Sequence, residues 1–347
     1  MSAQTIVSRA EPVTPDEPPQ RASARGAIGR VLGSSAGRNL GLVIALLVLF
    51  AIGAVTAGER FTNFENVLTI IRFASIIGVL SIGMTFVIIG GGIDLSVGSL
   101  MGLGSVVATL SVVQTFAEST SWLVMVVVAI AVGTLAGVLN GLVVSYGNVV
   151  AFMATLAMLV AARGFAEILS NRTTQIVRSQ DFIEFFRANL IGVPVLIWIF
   201  VIVAALGWFL LNRTTFGRRT VAIGGNREAA RLAGIKVKRH TVYLYGLAGL
   251  TAGIGAVMML GRTTAGTSTH GELYELDAIA AVVVGGTLLI GGRGTIVGTV
   301  FGVLIFATLT NVFTQNNLNT SVQAVAKGVI IVLAVLLQQR FAARARR

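Results

Sequence analysis

Hydrophobic positions in this chain come in long uninterrupted blocks, and polar positions gather between them. A helix crossing a bilayer needs about 20 mostly apolar residues. Ten segments meet or approach that length: 39–57, 67–90, 97–114, 122–146, 149–169, 195–212, 241–261, 278–291, 295–311 and 322–339. The eighth is short for a full crossing, which predicts a broken or re-entrant element there. The pattern therefore predicts an all-α integral membrane protein of about ten transmembrane helices, with broken or re-entrant Gly-rich segments. Residues 1–38 are polar and hold Pro12, Pro15, Pro18 and Pro19. Such a stretch buries too little apolar surface to offset its ordering entropy, which predicts a disordered N-terminal tail. A polytopic domain over 39–340 and a short basic tail over 341–347 follow. Val55-Thr56-Ala57 resembles a signal-peptidase site, but the apolar run before it is long and the leader longer, so a retained first span is expected.

Composition agrees. Hydrophobic residues make up 55% of the chain and charged residues 12%, against about 25% charged in soluble proteins. There is no cysteine, which excludes a disulfide framework and a thiolate metal site. With His240 and His270 the only histidines, no metal centre is expected.

The net charge of +12 is placed in tails and loops beside the spans. Without a recognition motif it reads as positive-inside bias, not nucleic-acid binding. Arg21, Arg25, Arg30 and Arg38 precede the first span. Arg213, Arg218, Arg219, Arg227, Arg231, Lys236, Lys238 and Arg239 follow the sixth, and Arg340, Arg344, Arg346 and Arg347 close the chain. All three clusters share the cytoplasmic side if six spans and then four separate them, so both termini are expected in the cytoplasm. The opposite loop, 262–277, agrees: it carries Glu272, Glu275 and Asp277 with one Arg.

A small repeat recurs. Val97-Gly98-Ser99 is followed by Gly102, Val132-Gly133-Thr134 by Gly137, and Val297-Gly298-Thr299 by Gly302. Glycines at i and i+4 let helices approach closely in lipid. The first and third copies follow Gly91-Gly92 and Gly291-Gly292 at the same offset, which favours duplicated halves over independent packing faces.

Three motifs carry candidate chemistry. The third, Tyr274 to Thr287 followed by Gly291-Gly292, sets Glu275 and Asp277 at an external span end before a Gly-rich span, with simple solvation of the two carboxylates as the common reading. In Gly90-Gly91-Gly92-Ile93-Asp94-Leu95-Ser96, three glycines should break a helix, and broken backbone at membrane depth survives only inside protein or beside a cavity. Asp94, Ser96 and Ser99, with Thr85 two turns earlier, are candidate contacts for a polar solute. The other reading of Asp94 is a helix cap at a cytoplasmic turn. In the second motif, Asn226 suits an N-cap and Gly234 a helix stop. Ala229, Leu232 and Ala233 share one face of the intervening two turns, Arg227 and Arg231 another, and Glu228 lies within reach of Arg231. A helix so short must dock, either on a cytoplasmic partner or on the protein's own membrane ends. Arg163 and Glu167 are read as a structural i,i+4 pair, and Lys327 as a snorkelling side chain.

Taken together and in order, several stretches resemble the permease subunits of ribose-type ATP-binding cassette sugar importers. They are Gly83-Met84-Thr85-Phe86 through Gly98, Gly137-Val138-Leu139-Asn140-Gly141, Ala162-Arg163-Gly164, Gly224-Gly225-Asn226 to Gly234-Ile235, Tyr274 to Ala281, and Lys327-Gly328-Val329-Ile330. Val150-Ala151-Phe152 lacks the family's usual Pro, and Thr155-Leu156-Ala157 has Ala where Gly is typical. The resemblance implies a permease homodimer in the bacterial inner membrane, two cytoplasmic ATPase subunits and a periplasmic solute-binding protein. ATP and Mg would be bound by the ATPase, with no cofactor in this chain and no chemistry of its own. It also implies a coupling helix within 224–235, carried by Asn226, Arg227, Glu228, Ala229, Arg231, Leu232 and Gly234. Asn140, Thr155 and Thr299 join the candidate translocation path. The solute is expected to be a monosaccharide. A nucleoside, a polyol or a branched-chain amino acid in the same machinery, and an ion-coupled secondary transporter, are the alternatives. A membrane enzyme would need a nucleophile–base or metal constellation that the sequence lacks.

Overall fold

The computed structural model describes residues 35–344. The expectations for the tails at 1–38 and 341–347 lie mostly outside them; residues 35–38 and 341–344 fall within terminal helices. Helices dominate, as the apolar blocks predict. They are α1 (Ser35–Ala57), α2 (Glu59–Thr62), α3 (Phe64–Ile89), α4 (Val97–Ala108), α5 (Ser111–Ser119), α6 (Leu123–Ser145), α7 (Ala151–Ser170), α8 (Gln180–Arg187), α9 (Val195–Arg213), α10 (Thr215–Gly225), α11 (Arg227–Leu232), α12 (Val237–Thr263), α13 (Tyr274–Val284), α14 (Ile296–Gln315) and α15 (Thr320–Arg344). Two small antiparallel pairs complete the list of elements. β1 (Gln175–Ile176) pairs with β4 (Ala265–Gly266), and β2 (Asn189–Leu190) with β3 (Val193–Pro194).

Among the described residues, seven helices are long and apolar enough to cross a membrane: α1 (counted from Asn39), α3, α6, α7, α9, α12 and α14. The pair α4 and α5, bent by 58°, makes an eighth if the two form one broken span and not a re-entrant loop. The expected ten is thus not reached. The shortfall includes α13, whose 11 residues fall well short of a crossing. The predicted interruption of the eighth segment is real: Gly285 to Gly294 turn back without helix before α14.

Burial sorts the spans. The apolar windows of α12 and α3 are 83% and 72% buried, and that of α1 only 11%, so α12 and α3 form the centre and α1 faces outward. The repeat glycines explain the tight centre. A Cβ on Gly133 would lie 2.4 Å from Gly249 O, one on Gly137 2.3 Å from Tyr245 O, and one on Gly253 2.5 Å from Ile130 Cα. The backbones of α6 and α12 therefore meet directly, as small-residue stripes in lipid allow. The third repeat copy packs α14 on α13, with Gly298 against Gly285 and Gly302 against Ala281. The first copy differs from expectation. Gly98 and Gly102 pack against the loop backbone at Ser268, His270 and Gly271, with the side chains of Glu275 and Arg163 beside them, not against a helix backbone.

Candidate functional site

The Gly90–Gly92 turn closes α3 and hands the chain to α4. Gly91 takes φ +81°, a region that side chains disfavour. Asp94 does not cap α4 directly; Ser96 occupies that position. Instead Asp94 Oδ1 accepts from the Ser96 backbone N–H at 2.8 Å and from Ser96 Oγ–H at 2.6 Å, an Asx-type turn. Asn140 Nδ2 of α6 donates to Ser96 Oγ at 2.9 Å, and Ser99 Oγ donates to Ser96 O at 2.9 Å. Ile93 O accepts from Tyr245 Oη of α12 at 3.3 Å and from Thr155 Oγ1 of α7 at 3.4 Å. Three helices therefore pin one non-helical segment. Thr85 and Thr299 form a separate contact, hydroxyl to hydroxyl at 2.7 Å, which ties α3 to α14.

All seven path candidates, Thr85, Asp94, Ser96, Ser99, Asn140, Thr155 and Thr299, are buried. Five of them form or adjoin the clasp around Asp94 and Ser96, and two form the threonine bridge. None lines the cavity of about 600 Å³ that opens beside them. Gly90 to Gly92, Ser145, Tyr245, Arg227 and Arg231 are among the residues that do line it. Asp94 Oδ2 is buried without a hydrogen-bond partner.

The second motif folds as its residues predict. Asn226 Oδ1 accepts from Ala229 N–H at 2.9 Å, capping α11, and Gly234 ends it at φ +82°. Arg231 Nε and Nη2 hold both Glu228 oxygens, and these hydrogen bonds keep the exposed Glu228 carboxyl below its ordinary pKa. The two faces of α11 differ in what they meet. Ala230 is buried with Ile223 and Val237 against the protein's own helices. Ala229, Leu232 and Ala233 are exposed, Leu232 at 75%.

What the sequence did not reveal is the junction behind α11. Gly224, at the end of α10, touches both broken segments. A Cβ there would lie 1.7 Å from Ile89 O and 2.6 Å from Gly292 N. Gly292 N–H donates to Ile89 O at 2.8 Å, and Gly291 abuts Gly91. The tips of the α3–α4 and α13–α14 turns thus meet each other and the α10–α11 connection, backbone on backbone. The only sequence trace of this was the shared glycine pair.

Charges near the spans also differ from the sequence reading. Lys327 does not snorkel; its Nζ pairs with Asp277 at 3.1 Å, both largely buried. Glu167 pairs with Arg172, not Arg163, and Arg163 Nη1 donates to the carbonyl oxygens of Ser268 and His270. Glu275 is buried, not solvated.

A bundle of this kind, with interrupted spans joined to an exposed basic helix, is a polytopic membrane permease. Residues 66–335 match the family described as branched-chain amino acid transport system / permease component, and the chain belongs to that family. It is 39% identical over 303 residues to the ribose import permease protein RbsC of Escherichia coli (strain K12), covering 86% of this chain and 92% of that protein. It is 33% identical over 330 residues to the L-arabinose ABC transporter permease protein AraH of Azospirillum brasilense, covering 94% and 93%. It is 34% identical over 310 residues to the galactose/methyl galactoside import permease protein MglC of Haemophilus influenzae, covering 85% and 92%. The resemblance to ribose-type permeases read from the motifs is borne out. No solved structure matches the chain.

Proposed function

We propose that this chain is the membrane-spanning subunit of an ATP-driven importer of a monosaccharide, in the bacterial inner membrane. It would act as a homodimer with both termini cytoplasmic. A cytoplasmic ATP-binding cassette ATPase holds ATP and Mg, and a periplasmic binding protein delivers the solute. The observation that carries the reading is the 39% identity to a ribose import permease across nearly the whole of both chains.

The geometry supplies a mechanism. The ATPase seats on the exposed Ala229–Leu232 face of α11. Movement of α11 passes through Gly225 and Gly224 into the tips of two broken segments at once, because these touch without intervening side chains. The Asp94–Ser96–Asn140 clasp keeps the α3–α4 turn rigid, so it moves as a body. Alternating access then needs ATPase states that favour opposite orientations by several kcal/mol. The permease performs no covalent step.

The test is uptake into proteoliposomes holding the purified permease, its ATPase and its binding protein, with D-ribose, L-arabinose and D-galactose as probes. ATP-dependent and binding-protein-dependent accumulation of one of them is expected. Uptake by the permease alone, driven by an imposed ion gradient, would replace this reading with a secondary transporter.

A further inference from the structure

The segment between α12 and α13 leaves the outer end of the bundle and descends into it without forming helix. Its path is marked by contacts along α4. Gly266 lies against Ser105 and Thr109, Ser268 and His270 against Gly102, and Gly271 against Gly98. Thr109 to Gly98 is 11 residues of helix, a descent of about 16 Å, roughly half the hydrocarbon core of a bilayer. There α13 begins, a half-helix whose first turn carries Glu275 and Asp277.

Four observations at this depth call for an occupant. Non-helical backbone cannot face lipid; it must be enclosed by protein or line an aqueous cavity. Thr269 and Glu272 are nevertheless exposed on the surface of the protomer, and a carboxylate facing hydrocarbon is very unfavourable. Glu275 is only 7% exposed, and its Oε2 sits in the notch left by the missing side chain of Gly98 without a hydrogen-bond partner. Arg163 stands near both carboxylates, yet its Nη1 donates to the loop carbonyls of Ser268 and His270 and not to either carboxylate. The arrangement leaves acceptors over, which matches a ligand rich in hydroxyl donors.

We propose that the descending loop and the first turn of α13 form a mid-membrane contact site for a polyhydroxyl solute. Glu272 and Glu275 accept hydrogen bonds from its hydroxyl groups, and Arg163 is a positioning residue that holds the loop in place. The site faces a water-filled path, not lipid. This inference rests on the importer reading above.

The absence of cysteine in the chain makes one experiment direct. Single variants Thr269→Cys and Glu272→Cys, in the permease–ATPase complex in proteoliposomes, are treated with a water-soluble maleimide. Leu135→Cys, on the 69% exposed flank of α6, serves as the lipid-facing control. Alkylation of both loop thiols at least about tenfold faster than the control is expected, since a thiol reacts as thiolate and needs water. In parallel, Glu275→Gln, which preserves shape, is expected to lower probe uptake at least tenfold. Binding-protein-stimulated ATP hydrolysis should persist, which a merely misfolded variant would not allow. Arg163→Lys is expected to raise the half-saturating probe concentration more than it lowers the maximal rate. Loop thiols no faster than Leu135→Cys, or wild-type uptake by Glu275→Gln, would overturn the site. Failure of the wild-type complex to accumulate any of the three sugars would instead overturn the importer reading, and the alkylation rates would still judge whether the face is wet.

Discussion

Replacing Gly224 by Ala tests the junction most sharply. The new Cβ would lie 1.7 Å from Ile89 O and 2.6 Å from Gly292 N, both backbone atoms that cannot rotate away. A carbon and a carbonyl oxygen approach no closer than about 3.3 Å, so the α10 end and the α3 tip must separate by about 1.6 Å. That displacement also strains the bond from Gly292 N–H to Ile89 O, now 2.8 Å long. Overpacking costs about 1–3 kcal/mol, and a buried backbone group left unpaired about 1–3 kcal/mol more. The total, about 2–6 kcal/mol, is comparable to the bias that must be transmitted for alternating access. Gly225→Ala is the matched control, because a Cβ there meets nothing within 4 Å. In proteoliposomes with ATPase and binding protein, Gly224→Ala is expected to lose uptake and the stimulation of ATP hydrolysis by binding protein, while basal hydrolysis remains. Gly225→Ala should behave as wild type. Wild-type uptake by Gly224→Ala, or equal loss in both, would refute transmission through this contact.

Other outcomes follow from single interactions. Lys327→Met leaves Asp277 largely buried without its partner and should destabilise the detergent-solubilised protein by about 3 kcal/mol; Asp277→Asn in the same chain should restore most of the thermal midpoint. Asn226→Ala removes the α11 cap, worth about 1 kcal/mol, and should weaken ATPase co-purification, which Asn226→Asp should rescue. Asp94→Asn keeps an acceptor oxygen for Ser96 and should retain uptake, whereas Asp94→Ala should abolish it; loss in both would assign the charge a role beyond the turn. A cysteine at Leu232 should be labelled by an impermeant reagent in inside-out vesicles and not in intact cells, which checks the orientation of α11.

Much was legible because lipid simplifies the physics. With no water to satisfy backbone groups, a long apolar block has little choice but helix. The spans that become α1, α3, α6, α7, α9, α12 and α14 therefore stand out from hydropathy alone. Local chemistry was equally plain at α11, where Asn226 and Gly234 cap and stop the helix with contacts a few residues away.

Long-range pairing was not legible. Gly98 and Gly102 announce a close approach but not what approaches, and the answer is a loop about 170 residues later. Arg163 and Lys327 sit at spacings that suggest a local ion pair and snorkelling, yet tertiary contacts give Arg163 carbonyl oxygens and Lys327 a carboxylate on α13. The sequence by itself determined the membrane class, most spans and the capped helix α11, because each depends on the hydropathy or caps of neighbouring residues. Only the tertiary structure decided that two broken segments meet at Gly224, that α13 is a half-helix, and that Glu275 is buried with a free oxygen. Those outcomes depend on which backbones come into contact across the bundle, and a glycine carries no side chain to name its partner.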